Sequence, residues 1–263
     1  MKNNVGSFCR VIKFFPVAII FFTISIFSAH SQNMSDMKMK TAAISQKDSM
    51  DMQNQMMLPM AFYTHMGIPL AVGTYSLRLG ATPTQFEGKT YTQFDFQFET
   101  GLSKTVGLFL GGNGLFDDPT LEAMVQFLVW KSKNGMNGVS PIIEFEFPMG
   151  EEATRSVYTL VGYAVTFSNP NLAFNQVLHY SPLEDLVEGS ASLVIKASKR
   201  IFLVPEISGV AQKGSRPISN LLLGVKVKLN NTFFLGVAYQ LPLTENRDYS
   251  SRYILQPNML LQK

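Results

Sequence analysis

The sequence predicts an all-β chain, an antiparallel transmembrane β-barrel of about twelve strands preceded by a flexible N-terminal segment. Three observations carry that expectation. From Leu70 onward apolar residues recur at every second position, not at helical spacing. Turn-forming residues divide the alternation into stretches long enough to cross a bilayer when tilted. Only 16% of the residues are charged, too few for a chain whose polar strand faces all look into water.

The N-terminus reads as an export signal. Lys2, Arg10 and Lys13 precede an uncharged run from Phe14 to Phe27, too short and wrongly flanked to span a membrane as a helix. Ala29-His30-Ser31 supplies small residues for cleavage before Gln32, which makes 1–31 a signal peptide; an uncleaved anchor is the competing reading. With those three cations removed, 19 of the 22 basic residues remain against 19 acidic ones. A neutral mature chain has no electrostatic footprint for nucleic acid. Cys9, ahead of the apolar run, is not placed for lipid attachment, and beyond it the chain has no cysteine for disulfides, thiolate metal sites or a thiol nucleophile.

Residues 32–60 have a different composition. Met34, Met37, Met39, Met50, Met52, Met56, Met57 and Met60 crowd among Ser, Asp, Lys and Gln, with no aromatic residue between Ser28 and Ala61. Such a stretch buries too little to offset its ordering entropy, so it is expected to be a flexible periplasmic segment. Thioethers are soft, neutral ligands that suit Cu(I), and the M-x-M and M-x-x-M spacings let one loop supply several sulfurs. His65 and Met66 follow at the barrel entry and complete the candidate ligand set; no other cofactor is expected. Methionine as adaptable apolar filler is the alternative, but filler keeps company with Leu, Ile and Phe.

The barrel domain is expected over 61–263, with strands at 70–79, 90–100, 103–112, 121–131, 139–147, 155–167, 172–181, 188–197, 200–210, 218–229, 232–241 and 252–260. In Phe94-Asp95-Phe96-Gln97-Phe98-Glu99 and Ile143-Glu144-Phe145-Glu146-Phe147 the alternation is strict. The stretch 121–131 is ambiguous, because Asp118-Pro119-Thr120 could start a helix with Leu121, Val125 and Leu128 on its face. Tight turns are expected at Thr100-Gly101-Leu102, Asn134-Gly135 with Asn137-Gly138, Ser168-Asn169-Pro170-Asn171, Ser198-Lys199 and Asn230-Asn231. Longer polar loops, such as Ala81–Lys89 and Pro242–Ser251, alternate with them. Short turns at one end and long loops at the other are the asymmetry of an outer-membrane barrel. A soluble sandwich or lipocalin-like barrel would turn the apolar face inward instead.

On the other face lie Arg78, Asp95, Glu99, Glu144, Glu146, Lys196, Glu206, Lys226 and Lys228, the expected lumen charges. Both signs are present, so a lumen plugged by its own salt bridges is expected. His179-Tyr180-Ser181 has the H-x-S spacing of outer-membrane phospholipase barrels, but Pro182 stands where that family carries Asn. Without an orienting group the pair makes a weak motif, and no catalytic residue is assigned.

A Met-rich exported segment followed by Phe62-Tyr63-Thr64-His65-Met66-Gly67-Ile68-Pro69 and a barrel resembles copper resistance protein B. The stretch Gly236–Thr244 continuing through Arg247-Asp248-Tyr249-Ser250 is similar to transporter-type outer-membrane barrels, including those of phenol meta-pathway degradation. The resemblance implies a non-enzymatic, porin-like protein of a Gram-negative-type outer membrane. It would transport or sequester a solute, with membrane lipid and copper ions or copper-handling proteins as partners. A channel for small apolar solutes and a purely structural or surface-interaction barrel are the other classes.

Overall fold

The computed structural model describes residues 58–115, 119–149, 157–245 and 249–262. Its strands are β1 (Thr74–Phe86), β2 (Lys89–Gly101), β3 (Val106–Asn113), β4 (Thr120–Phe127), β5 (Trp130–Lys131), β6 (Gly138–Pro148), β7 (Tyr158–Asn169), β8 (Leu172–Ser181), β9 (Leu186–Lys196), β10 (Ile201–Gln212), β11 (Ile218–Lys228), β12 (Phe233–Pro242) and β13 (Ser251–Gln262). Each pairs antiparallel with its neighbour, β1 pairs with β13, and β4 pairs with β6. The sheet therefore closes on itself as a twelve-stranded barrel, with two-residue β5 as an addition on β6. Closure leaves the ladder without a free edge.

The ambiguous stretch is a strand with a break. β4 ends at Phe127, and Leu128 donates its N–H to the Thr105 carbonyl (2.7 Å). Val129 then bonds the Val139 carbonyl (3.0 Å) and β5 resumes on the same partner strand. Phe127 and Trp130, outward and exposed, suit the strand and not a buried helix face.

The two ends of the first strand depart most from the sequence expectation. The first strand begins at Thr74, not Leu70, and it does not stop at Leu79. What reads as a polar loop over 81–89 is the second half of β1, joined to β2 by a two-residue turn at Glu87 (φ 48°) and Gly88 (φ 78°). Thr82 and Thr84 continue the inward face, both buried, so polarity here marks the lumen. Pro83 coincides with a gap in the β1–β13 register, between Ala81↔Leu255 and Thr84↔Arg252. The strand passes through it on its other side, where Pro83 pairs with Thr92.

The two faces separate cleanly. Tyr75, Leu79, Phe94, Phe145, Val237 and Leu255 are outward and exposed. Ser76, Arg78, Ser140, Glu144, Glu206 and Lys226 are inward and buried. An apolar exterior around a polar interior is the reverse of a soluble sandwich, whose apolar faces meet in the core.

Candidate functional site

Residues 58–73 precede β1; 58–70 lie inside the barrel, and Ala71 and Val72 are exposed, with Val72 bridging to Gly101. Ala61 and Phe62 are fully buried, in a cluster with Ala173, Val194, Phe202, Leu222 and Phe234. Apart from mid-strand Leu222, these wall residues come from the strand halves nearest the turns after β7, β9 and β11, so the segment occupies the lumen at that end. Glycines make the room. A Cβ at Gly224 would stand 2.3 Å from the Phe62 ring and one at Gly236 2.9 Å from it. The return path is lined the same way, with Gly138 against Ile68 and Gly107 against Pro69.

Buried charge holds the segment by its backbone. One carboxylate, Glu206, accepts the N–H groups of Phe62 (3.1 Å), Tyr63 (3.1 Å) and Thr64 (2.5 Å) and the Thr64 hydroxyl (2.6 Å). Lys226 donates from Nζ to the Ala61 carbonyl (3.0 Å) and to Gln256 Oε1 (2.9 Å), and stands 4.4 Å over the Phe62 ring. Arg78 donates to the carbonyls of Ala61 (3.2 Å) and Phe62 (3.3 Å) and to the Glu99 carboxylate. Charges this deep are tolerated when paired or hydrogen-bonded, and an extended peptide supplies donors and acceptors in alternation. Salt bridges alone do not fill this lumen, contrary to the sequence expectation; its own chain does.

Above the segment the barrel opens as a cup of about 470 Å³ toward the β1–β2, β8–β9 and β10–β11 connections. Tyr63 and His65 form its floor. Asp95, Glu122, Glu144, Glu146 and Glu188 line it, with Arg252 the cation on the wall. His179 is there as well, its Nδ1 2.9 Å from Glu188 Oε1 and 3.3 Å from Glu144 Oε2.

The expected lumen charges thus have three fates. Arg78, Glu99, Glu206 and Lys226 surround the inserted segment, and Asp95, Glu144 and Glu146 line the cup. Lys196 and Lys228 are half-buried at the strand ends beside the turns, away from the cup. Glu122 and Glu188 were missed in the sequence, although both alternate with apolar neighbours (Leu121 and Ala123, Val187 and Gly189). His179 and Ser181 share a buried inward face, remote from the lipid-facing position that hydrolysis of a bilayer lipid requires.

Of the thioether set, Met34, Met37, Met39, Met50, Met52, Met56 and Met57 lie outside the described residues. Met60 is buried, its Sδ accepting from Ser76 Oγ (3.5 Å). His65 packs edge-on against Phe109 with its Nδ1 3.5 Å from Glu99. Met66 offers its carbonyl to Gln126 (2.7 Å). Met60 and His65 thus meet different partners, while His65 and Met66 line one small pocket with Glu99 and Phe109.

No family model matches the chain, and no curated protein matches it. Solved structures do. The KdgM porin is similar at TM-score 0.54 and 9% identity, covering 71% of this chain and 98% of its own. The NanC porin is similar at 0.52 and 8%, covering 72% and 99%. The COG4313 outer membrane channel from Pseudomonas putida F1 is similar at 0.50 and 9%, covering 74% and 98%. At such identities the likeness is one of architecture, and the architecture this chain shares is that of outer-membrane porin and channel barrels.

Proposed function

We propose that the chain is exported by its 1–31 signal and forms an outer-membrane channel for small solutes, with a preference for cationic ones. The acidic cup is the observation that carries this reading: five carboxylate side chains face a single arginine across about 470 Å³, a volume in the range of small-molecule sites. Like charges on a low-dielectric wall focus the field and concentrate counter-ions at the mouth. The apolar exterior, the closed ladder and the porin-type architecture support a place in lipid. Residues 58–70 act as the resident occluder, since they fill the half of the lumen that leads away from the cup.

The test is a reversal potential across a planar bilayer in a KCl gradient. The expected sign is that of a cation-selective pore, moving toward zero in Glu122→Gln and Glu146→Gln. A pore that passes chloride in preference, or a folded barrel that never conducts, overturns the reading.

A second reading is copper handling by the Met-rich segment, favoured by methionines among charged and polar residues. In that role the segment captures Cu(I) through its thioethers. Replacing Met37, Met39, Met50 and Met52 by Leu keeps the apolar volume and removes the sulfur, so Cu(I) binding by the full chain should weaken at least tenfold. Unchanged affinity removes the copper role.

A further inference from the structure

We propose that Glu144, His179 and Glu188 form a site for one divalent transition-metal ion in the wall of the cup. The proposal goes beyond the transport reading and does not depend on it. Three strands of one stretch of the barrel wall build the arrangement. His179 on β8 stands directly opposite Glu188 on β9. Glu144 is on β6, two strands away from β8. The strand between is β7, and its residue beside His179 is Gly162. Glu144 itself pairs with Leu160, so its carboxylate meets the imidazole on the diagonal, and a Cβ at Gly162 would run into the Leu178 carbonyl of β8.

The spacing suits a small ion. Ligand atoms held at about 2.0–2.2 Å from one ion lie roughly 2.8–3.6 Å apart at right-angle to tetrahedral geometry. The Nδ1 of His179 is 2.9 Å from Glu188 Oε1 and 3.3 Å from Glu144 Oε2. One ligand atom from each of the three residues falls within 4.8 Å of the other two.

A second observation points to a ligand independently of the carboxylate cluster. Glu144 is 4% exposed, and its Oε2, turned toward the imidazole, has no hydrogen-bond partner. Buried polar atoms are nearly always satisfied, so an orphan carboxylate oxygen beside an imidazole calls for a group that both can bind. A proton shared between histidine and one carboxylate satisfies Glu188 and leaves Glu144 over. A divalent cation satisfies both. One imidazole with two carboxylates suits Zn²⁺ better than Mg²⁺ or Ca²⁺, which prefer all-oxygen shells.

The experiment is calorimetric titration of the full chain, folded in detergent, with ZnCl₂ at neutral pH. One saturable site is expected, weakened at least tenfold in His179→Gln and in Glu188→Gln. It should be unchanged in Asp185→Asn, which alters an exposed turn pair with Lys213. MgCl₂ should not compete at equal concentration. X-ray absorption on the zinc-loaded parent gives a readout that needs no variant, and a shell of nitrogen and oxygen without sulfur is expected. Absence of saturable binding, equal affinity in both ligand variants, or a sulfur-dominated shell overturns the site. A barrel that fails to bind Zn²⁺ yet is cation-selective loses the site and keeps its transport function.

Discussion

Substituting Glu206 by Gln tests whether the lumen segment is held by the geometry described above. The wild-type carboxylate accepts from four donors on Phe62, Tyr63 and Thr64. Glutamine keeps one acceptor oxygen; with that oxygen toward Thr64, its NH₂ group faces the Phe62 N–H and crowds that of Tyr63. It also removes the negative charge from a lumen that holds Arg78 and Lys226, both essentially without solvent exposure. Hydrogen bonds to a charged group contribute about 1.5–3 kcal/mol each, and removing one member of a buried charged set costs about 3–5 kcal/mol in all. Taking about 4 kcal/mol, the ratio of seated to released segment falls roughly a thousandfold.

Amide hydrogen exchange reads that ratio directly when opening and closing are fast. The Phe62, Tyr63 and Thr64 amides should exchange about 10²–10³ times faster in the variant, while amides in β10 and β11 keep their protection. Retained heat-modifiability on a detergent gel shows that the barrel is still closed. Unchanged exchange at those three amides in a folded variant would refute the clamp, since no local rearrangement of glutamine can replace the lost acceptor.

Three further outcomes follow from the same structure. Gly224→Ala places a methyl 2.3 Å from the Phe62 ring, so the ring must leave a burial that stabilises by roughly 1.5–3 kcal/mol; the same exchange readout should rise, and adding Phe62→Ala should make the glycine change nearly neutral, a coupling that independent sites lack. The native barrel should migrate differently on detergent gels before and after boiling, and recovery as a water-soluble periplasmic protein would exclude the membrane reading. In a Cys9→Ser background, a membrane-impermeant thiol reagent on intact cells should label Glu245→Cys, in the β12–β13 connection, and spare Asn230→Cys, in the β11–β12 turn; the reverse pattern would put the occluded end outside.

The barrel was legible because its signal is local. Period-two alternation in β2, β6 and β12 needs only neighbouring residues to be seen, and Asn-Gly and Asn-Asn pairs mark turns by backbone preference. The errors fell where one residue type serves two purposes. Thr82, Pro83 and Thr84 read as a loop because polarity and proline usually mean solvent, yet a barrel lumen is also polar and a proline can sit in a ladder gap. Leu70 read as the start of a strand because it is apolar, but it is buried in the lumen, its carbonyl against Gly101.

The inserted segment was harder to foresee, and the reason is general to its chemistry. Arg78, Glu206 and Lys226 were each identifiable as lumen charges, and pairing among themselves was the obvious way to neutralise them. Two of the three instead take main-chain atoms of residues 61–64 as principal partners, and Lys226 divides its bonds between a main-chain carbonyl and Gln256. Main-chain groups are the same at every position, so no residue type advertises that role. The detectable trace is on the other side of the contact: Gly224 and Gly236 interrupt the inward faces of neighbouring strands, and each leaves space that only an aromatic ring from another part of the chain fills. Inward glycines beside unpaired lumen charges are therefore the sequence sign of a self-occluded barrel.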